Sequence, residues 1–213
     1  MFMQNEQYIT ITQEVKYSSL GNISADTKKV WIVLHGYGQL SRFFIRKFSV
    51  LESPISFVIA PQATSKFYLK NNGGRVGANW MTKEDRLVDI RNYTTYLNQL
   101  YDSLKLPETV EVNVIGFSQG AATASRWLAD GYVKASNLLL WSGIFPPDLD
   151  IINTQNALSK TNVYNIYGLV DPYFTTNKAK EQEAIITELK LDVKHIKFDG
   201  GHDIDSKTLE QFV

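Results

Sequence analysis

The pentapeptide Gly116-Phe117-Ser118-Gln119-Gly120 constrains this chain more than any other part of its sequence. It follows the apolar run at residues 110–115, which predicts a buried strand, and precedes residues 121–129, which predict a helix. A Gly-x-Ser-x-Gly at such a junction makes a sharp turn that exposes the serine hydroxyl and the next backbone N–H. The sequence therefore offers a nucleophile, Ser118, and half of an oxyanion hole. The alternative is an ordinary glycine-rich turn that carries a surface serine.

The remainder of the chain alternates apolar, strand-like runs with helical patterns. Strands are predicted at residues 29–34, 55–59, 137–141, 162–167 and 193–198, and an edge strand at 8–16. Helices are predicted at residues 41–49, 83–104, 153–160 and 177–190. This alternation indicates one α/β domain, residues 1–213, with a mostly parallel sheet and helices on both faces. The longest irregular segment, residues 61–80, is predicted to be a functional or mobile loop.

Composition narrows the classes of function and location. Lysine plus arginine equal aspartate plus glutamate at 22 each, so no basic excess favours a nucleic-acid partner. The absence of cysteine excludes disulfides, a thiol nucleophile and cysteine-ligated metals. The amino terminus lacks a secretory signal, and no run approaches the roughly 18 apolar residues of a membrane span. We therefore expect a cytoplasmic protein with no membrane span.

A serine nucleophile needs a base, and the chain has only three histidines. His195 lies within a predicted strand, where its side chain would face the sheet surface. His35 ends a predicted strand, where histidines often serve as structural hydrogen-bonding groups. His202 lies in a glycine loop just beyond the strand at 193–198, at the sheet edge where α/β proteins bind ligands. It is the predicted base, and the alternative is an exposed loop histidine.

The base needs a carboxylate that fixes its tautomer, and Asp171 is the predicted one. Asp171 follows the strand at 162–167, and Pro172 stiffens its turn. The order serine, aspartate, histidine is that of α/β-hydrolases. The competing carboxylates are Asp199, Asp203 and Asp205 beside the histidine, and Asp148 and Asp150 after the strand at 137–141.

The remaining site predictions concern the oxyanion hole and the substrate. Residues 35–38 follow an early strand, so the backbone N–H groups of Tyr37 and Gln119 are the predicted oxyanion pair. The candidates for lining a substrate groove are Phe67, Tyr68, Trp80 and Phe145. The alternative for these aromatic side chains is local packing in the core.

Several of these segments carry a resemblance to a known family. Residues 34–38, 78–80, 116–120, 167–172 and 201–202 resemble the lid-less carboxylesterases and acyl-protein thioesterases of the α/β-hydrolase superfamily. The resemblance covers roughly residues 30–202 and implies a three-layer sandwich with no large cap. Two features depart from the family pattern: Leu169, where a short polar or acidic residue is usual, and the aromatic and basic segment at 41–48.

The resemblance implies a serine hydrolase that cleaves esters or thioesters of small to medium acyl groups, including acyl groups on proteins. Such a reaction proceeds through an acyl-enzyme and requires no metal or cofactor. The protein is expected to be a monomer or a homodimer. The alternatives are a catalytically silent binding module with the same fold, and a lyase or perhydrolase that uses the same three residues.

Overall fold

The computed structural model describes residues 6–70 and 73–213. Residues 1–5 lie outside the described residues. They belong to the amino-terminal segment in which the sequence predicts no secretory signal. Residues 71–72 of the predicted loop also lie outside the described residues. Within the described ranges, no helix is long and apolar enough to cross a membrane.

Strands and helices alternate along most of the described chain. The strands are Tyr17–Leu20 (β1), Lys29–Leu34 (β2), Ser56–Pro61 (β3), Ser65–Tyr68 (β4), Val76–Asn79 (β5), Glu111–Phe117 (β6), Asn137–Trp141 (β7), Asn162–Gly168 (β8) and Val193–Phe198 (β9). The helices are Ser41–Phe44 (α1), Arg86–Ser103 (α2), Gln119–Ala129 (α3), Ile151–Leu158 (α4), Thr176–Leu189 (α5) and Ser206–Leu209 (α6). The 3-10 segments Ile45–Leu51 and Glu210–Phe212 extend α1 and α6.

Seven strands form the central sheet in the order β1-β3-β2-β6-β7-β8-β9. β1 is antiparallel to β3, and every other neighbouring pair is parallel. The carboxyl ends of β2, β6, β8 and β9 therefore meet at one edge of the sheet, where ligands bind in open α/β folds. The predicted mostly parallel sheet is confirmed.

Helices cover both faces of this sheet because alternate residues of each inner strand point to opposite sides. In β2, Val30, Ile32 and Leu34 pack in a cluster that includes side chains from α2 to α5. Trp31 and Val33 pack in a second cluster with side chains from α1, α6 and the 3-10 segment Ile45–Leu51. The near-continuous apolar sequence of β2 follows from this double burial. The predicted three-layer α/β sandwich is confirmed.

The edge strand predicted at residues 8–16 is wrong. Residues 6–16 form no strand, and Ile9 and Ile11 are 83% and 73% exposed. Pairing begins later, where Tyr17 lies opposite Pro61 in the β1–β3 ladder. The alternating pattern at 8–16 has no sheet face against which to bury its apolar residues, so the pattern alone was misleading.

The segment at residues 61–80 is not wholly irregular. β4 and β5 pair as an antiparallel hairpin with Tyr68 opposite Val76, and the Leu69 N–H donates to the Arg75 carbonyl at 2.9 Å. A β-bridge between Gln39 and Ala78 joins β5 to the loop after β2. The hairpin therefore lies beside the loop predicted to supply the oxyanion hole.

Candidate active site

Ser118 lies between the last residue of β6 and the first residue of α3, in a backbone conformation that is strained for a non-glycine residue (φ 54°, ψ −115°). The two glycines of the motif allow the turn to close. A Cβ on Gly116 would overlap the Gly120 carbonyl, and a Cβ on Gly120 would overlap the Leu34 carbonyl. The close packing of β6, α3 and β2 therefore requires glycine at both positions, as the motif predicts.

The structure brings Asp171 and His202 together from the carboxyl ends of β8 and β9. Asp171 Oδ2 lies 2.8 Å from His202 Nδ1, and the aspartate side chain is fully buried. Its other oxygen, Oδ1, accepts from the Tyr173 N–H at 2.8 Å and the Phe174 N–H at 3.2 Å. Because the carboxylate accepts, Nδ1 carries the proton and the neutral ring presents a lone pair on Nε2. That nitrogen is the one suited to act as a base.

Electrostatics keep the Asp171 carboxyl ionised. Burial by itself would raise the pKa of Asp171, since it penalises the charged form. The hydrogen bonds from His202 and from the Tyr173 N–H outweigh burial and hold that pKa below its ordinary value. A charged carboxylate at this position orients the imidazole and stabilises it after it takes up a proton.

Two aromatic rings hold the His202 imidazole. The Phe117 ring lies 4.8 Å from it and the Tyr173 ring 4.7 Å from it, between centroids. Phe117 directly precedes Ser118, so the ring that contacts the imidazole belongs to the same turn as the serine. Among the described residues, no hydrogen bond joins the Ser118 hydroxyl to His202. The contact of Tyr173 was not predicted, and its only sequence signal is an aromatic residue two positions after Asp171.

The competing carboxylates and His195 have other contacts. Asp203 pairs with Lys47, and Asp148 pairs with Arg86 and Arg126. Asp150 and Asp205 accept hydrogen bonds at the starts of α4 and α6. Asp199 is exposed. His195 Nε2 lies 3.4 Å from a Glu183 oxygen. Among the described residues, no group of three or more histidine or acidic side chains is arranged to hold a metal.

The two predicted oxyanion donors are backbone N–H groups that make no other hydrogen bond among the described residues. Neither the Tyr37 N–H nor the Gln119 N–H donates to an acceptor within the described part of the chain. The loop that holds Tyr37 lies against the serine, since a Cβ built on Gly36 would come within 3.2 Å of the Ser118 Cβ. The Gly36 N–H donates to Gln39 Oε1 at 2.9 Å, which orders the loop on its other side.

The side chain of Gln119 hydrogen-bonds to the last residue of β5 and to the two residues that follow it, a role that the sequence does not predict. Its Oε1 accepts from the Trp80 N–H at 3.1 Å. Its Nε2 donates to Asn79 Oδ1 and to the Met81 carbonyl, both at 2.9 Å. These three hydrogen bonds use both donors of the amide and one of the two acceptor positions of its oxygen, and they fix the residue whose backbone N–H is the candidate oxyanion donor.

His35 is a structural residue, as its position at the end of β2 predicts. It is fully buried, its Nδ1 lies 2.8 Å from the Gly36 carbonyl, and its Nε2 accepts from the Ala63 N–H at 3.1 Å. The proton therefore lies on Nδ1. Burial lowers the pKa of His35 to about 4, so the ring stays neutral at neutral pH.

Two of the four predicted groove residues belong to the core instead. Trp80 is 3% exposed, and its indole N–H donates to the His35 carbonyl at 2.8 Å. Phe145 is fully buried, and its backbone N–H donates to Gln182 Oε1. Their prediction as groove residues is wrong because aromatic side chains in a connecting segment can still pack inward. Phe67 lies 5.0 Å from the Tyr37 ring between centroids, and Tyr68 is exposed.

The parallel sheet, the strained turn after β6, and the aspartate and histidine after β8 and β9 together define an α/β-hydrolase fold. The sequence matches the phospholipase/carboxylesterase family over residues 17–213, and the chain belongs to that family. The predicted resemblance is confirmed, and the family supports a hydrolase of the esterase or thioesterase type.

Solved structures share this fold at low sequence identity. Acyl-protein thioesterase 2 of Zea mays has a TM-score of 0.70 and 18% identity, covering 92% of this chain and 95% of its own. The esterase PE8 has a TM-score of 0.69 and 20% identity, covering 93% and 97%. A phospholipase/carboxylesterase of Dyadobacter fermentans has a TM-score of 0.66 and 19% identity, covering 95% and 97%. No curated protein matches the chain in sequence.

Proposed function

We propose that this protein is a serine hydrolase that cleaves carboxylic esters or thioesters of small to medium acyl groups. In this proposal Ser118 is the nucleophile, His202 the general base and Asp171 the residue that orients it. The observation that carries the proposal is the 2.8 Å contact between Asp171 Oδ2 and His202 Nδ1. It leaves Nε2 as the basic nitrogen at the sheet edge where Ser118 follows β6.

The proposed reaction has two steps. His202 Nε2 takes the proton of Ser118 as its oxygen bonds to the substrate carbonyl carbon, and the imidazolium then gives that proton to the leaving alcohol or thiol. Water attacks the acyl-enzyme with the same assistance and releases the acid and the free serine. The Tyr37 and Gln119 N–H groups would hold the oxyanion in both steps. The imidazole acts as a base only in its neutral form.

A labelling experiment tests the proposal directly. A fluorophosphonate probe should react with the wild-type protein and fail to react with Ser118→Ala, which should also lose hydrolysis of 4-nitrophenyl esters. The matched control is Ser125→Ala, on α3, the helix that follows Ser118. The Ser125 hydroxyl donates to the Ala121 carbonyl and is fully buried, so this variant should keep both labelling and hydrolysis.

The same experiment distinguishes the enzyme from a catalytically silent binding module. Absence of labelling in the folded wild-type protein, or equal labelling of Ser118→Ala, would contradict the proposal. Rates for matched butyryl esters, butyryl thioesters and butyryl amides then define the bond that is cleaved. A preference for the amide would contradict the ester or thioester assignment.

A further inference from the structure

A groove of about 430 Å³ opens beside the candidate active site. It lies between α1 with its 3-10 extension, the loop after β2, and the hairpin formed by β4 and β5. Apolar side chains line part of it, among them Phe43 and Leu69. The other prominent side chains are cationic: Arg42, Lys47 and Arg75.

Three contacts join this groove to the candidate catalytic residues. Phe44, on its wall, has its ring 5.9 Å from that of Phe117, which in turn lies 4.8 Å from the His202 ring. Gly38, also on its wall, directly follows Tyr37, one of the two candidate oxyanion donors. Lys47 Nζ lies 2.5 Å from an oxygen of Asp203, the residue after His202. The groove therefore borders the loop that holds Tyr37 and, through Lys47, the residue that follows His202.

The groove concentrates positive charge in a chain whose formal net charge is zero. No carboxylate lines it among the described residues. Lys47 is paired with Asp203, whereas neither Arg42 nor Arg75 pairs with a carboxylate in the described part of the chain. The Arg42 guanidinium lies 4.6 Å from the centroid of the Phe43 ring, so an apolar surface supports it at the groove.

We propose that this groove binds an anionic group of the substrate, a carboxylate or a phosphate, and this rests on the hydrolase function proposed above. Arg42 and Arg75 supply the charge and the N–H donors that match such a group. Phe43 and Leu69 contact the apolar segment between the anionic group and the scissile bond. The substrate class is therefore an anionic amphiphilic ester or thioester, rather than a neutral one.

Pairs of anionic and neutral esters test this. In the acyl arm, the mono-4-nitrophenyl ester of adipic acid, which keeps one free carboxylate, is compared with 4-nitrophenyl methyl adipate, in which that carboxyl is a methyl ester. In the alcohol arm, 4-(butyryloxy)benzoate and 4-(butyryloxy)phenyl phosphate are each compared with the neutral methyl 4-(butyryloxy)benzoate. The two arms show which side of the scissile bond carries the charge, and the two anionic esters of the alcohol arm distinguish a carboxylate from a phosphate.

The quantity measured is the ratio of kcat/KM for the anionic ester to that for its neutral partner. In at least one arm we expect the wild-type ratio to fall about fivefold in Arg42→Gln and further in the double variant with Arg75→Gln. The expected preference also weakens with added salt. The matched control is Arg46→Gln, because Arg46 also lies over Phe43, at 5.3 Å, but does not line the groove. Equal ratios in wild type and the double variant, in both arms, would overturn the proposal.

A binding measurement separates this proposal from the hydrolase function. Ser118→Ala protein is titrated calorimetrically with monomethyl adipate and with dimethyl adipate, with and without the two arginine substitutions. Tighter binding of the monoanion that disappears in the arginine variants supports the groove, whatever the turnover. Equal binding of both esters, or none, overturns it, whereas failure to hydrolyse any ester contradicts only the proposed function.

Discussion

Asp171 Oδ2 lies 2.8 Å from His202 Nδ1, while Oδ1 of the same carboxylate accepts the N–H groups of Tyr173 and Phe174. One oxygen thus holds the histidine and the other holds the turn that carries the aspartate. The two roles can be separated by substitution, because an asparagine retains one oxygen for the two backbone N–H groups.

Asp171→Asn is expected to stay folded and to lose activity by a factor on the order of 10⁴. The asparagine NH₂ would face Nδ1 of His202, which favours the tautomer with the proton on Nε2 and removes the base. The measurement is kcat/KM on a 4-nitrophenyl ester, with thermal unfolding as the check on folding. Asp199→Asn is the control, since Asp199 is exposed after the same strand as His202. Activity within tenfold of wild type in Asp171→Asn would contradict the assignment.

Gln119→Ala is expected to lower kcat about 10- to 100-fold with a smaller change in KM. Removal of an oxyanion donor costs about 10²–10³ in kcat, and loss of the Gln119 side chain misplaces such a donor without deleting it. The side chain would no longer hold Trp80, Asn79 and Met81. Gln155→Ala, on α4, is the control and should leave kcat unchanged. A folded Gln119→Ala with wild-type kcat would show that these hydrogen bonds do not position the turn.

The sequence was sufficient to predict the parallel sheet and the chain order of the candidate nucleophile, carboxylate and base. Glycines and polar residues at the ends of apolar runs mark strand ends, and strand ends in a parallel sheet converge. Ser118, Asp171 and His202 could therefore be proposed as a set, although β7 lies between the strands that precede Ser118 and Asp171. The contact between Asp171 and His202 is the part of that prediction for which the structure gives a distance.

The sequence was insufficient wherever tertiary packing decided the outcome. Trp80 and Phe145 are aromatic residues in connecting segments, and nothing in their local pattern tells a groove wall from the core. The side-chain hydrogen bonds of Gln119 join residues about 40 positions apart. The groove is lined by residues of α1 and of a hairpin that the sequence pattern does not predict. Long-range contacts of this kind carry no periodic signal.

Buried His35 makes the stability of the protein sensitive to acid. Its pKa is lowered to about 4 in the folded protein, against an ordinary value of 6.5, because burial disfavours the charged ring. Below pH 6.5 the unfolded chain binds a proton that the folded protein does not, so the free energy of unfolding falls as the pH falls toward 4. The contribution of this one group is about 3 kcal/mol.

His35→Gln tests this, because glutamine offers a donor and an acceptor but does not titrate. Urea unfolding of wild type and variant is measured from pH 7 to pH 4. The wild type should lose about 3 kcal/mol more than the variant over this range, even if the variant is less stable at pH 7. Parallel pH profiles for the two proteins would contradict the assignment of a neutral, buried His35.

Gly120→Ala is expected to lower the free energy of unfolding by about 3 kcal/mol or more, and with it the activity of Ser118. A Cβ at this position would overlap the backbone carbonyl of Leu34, which cannot move without separating β2 from α3. Thermal and urea unfolding give the change in stability. Gly73→Ala is the matched control, since a Cβ there would meet nothing within 4 Å among the residues that the structure describes. A free energy of unfolding for Gly120→Ala within about 1 kcal/mol of the wild-type value, with that of Gly73→Ala unchanged, would show that the turn does not pack closely against β2.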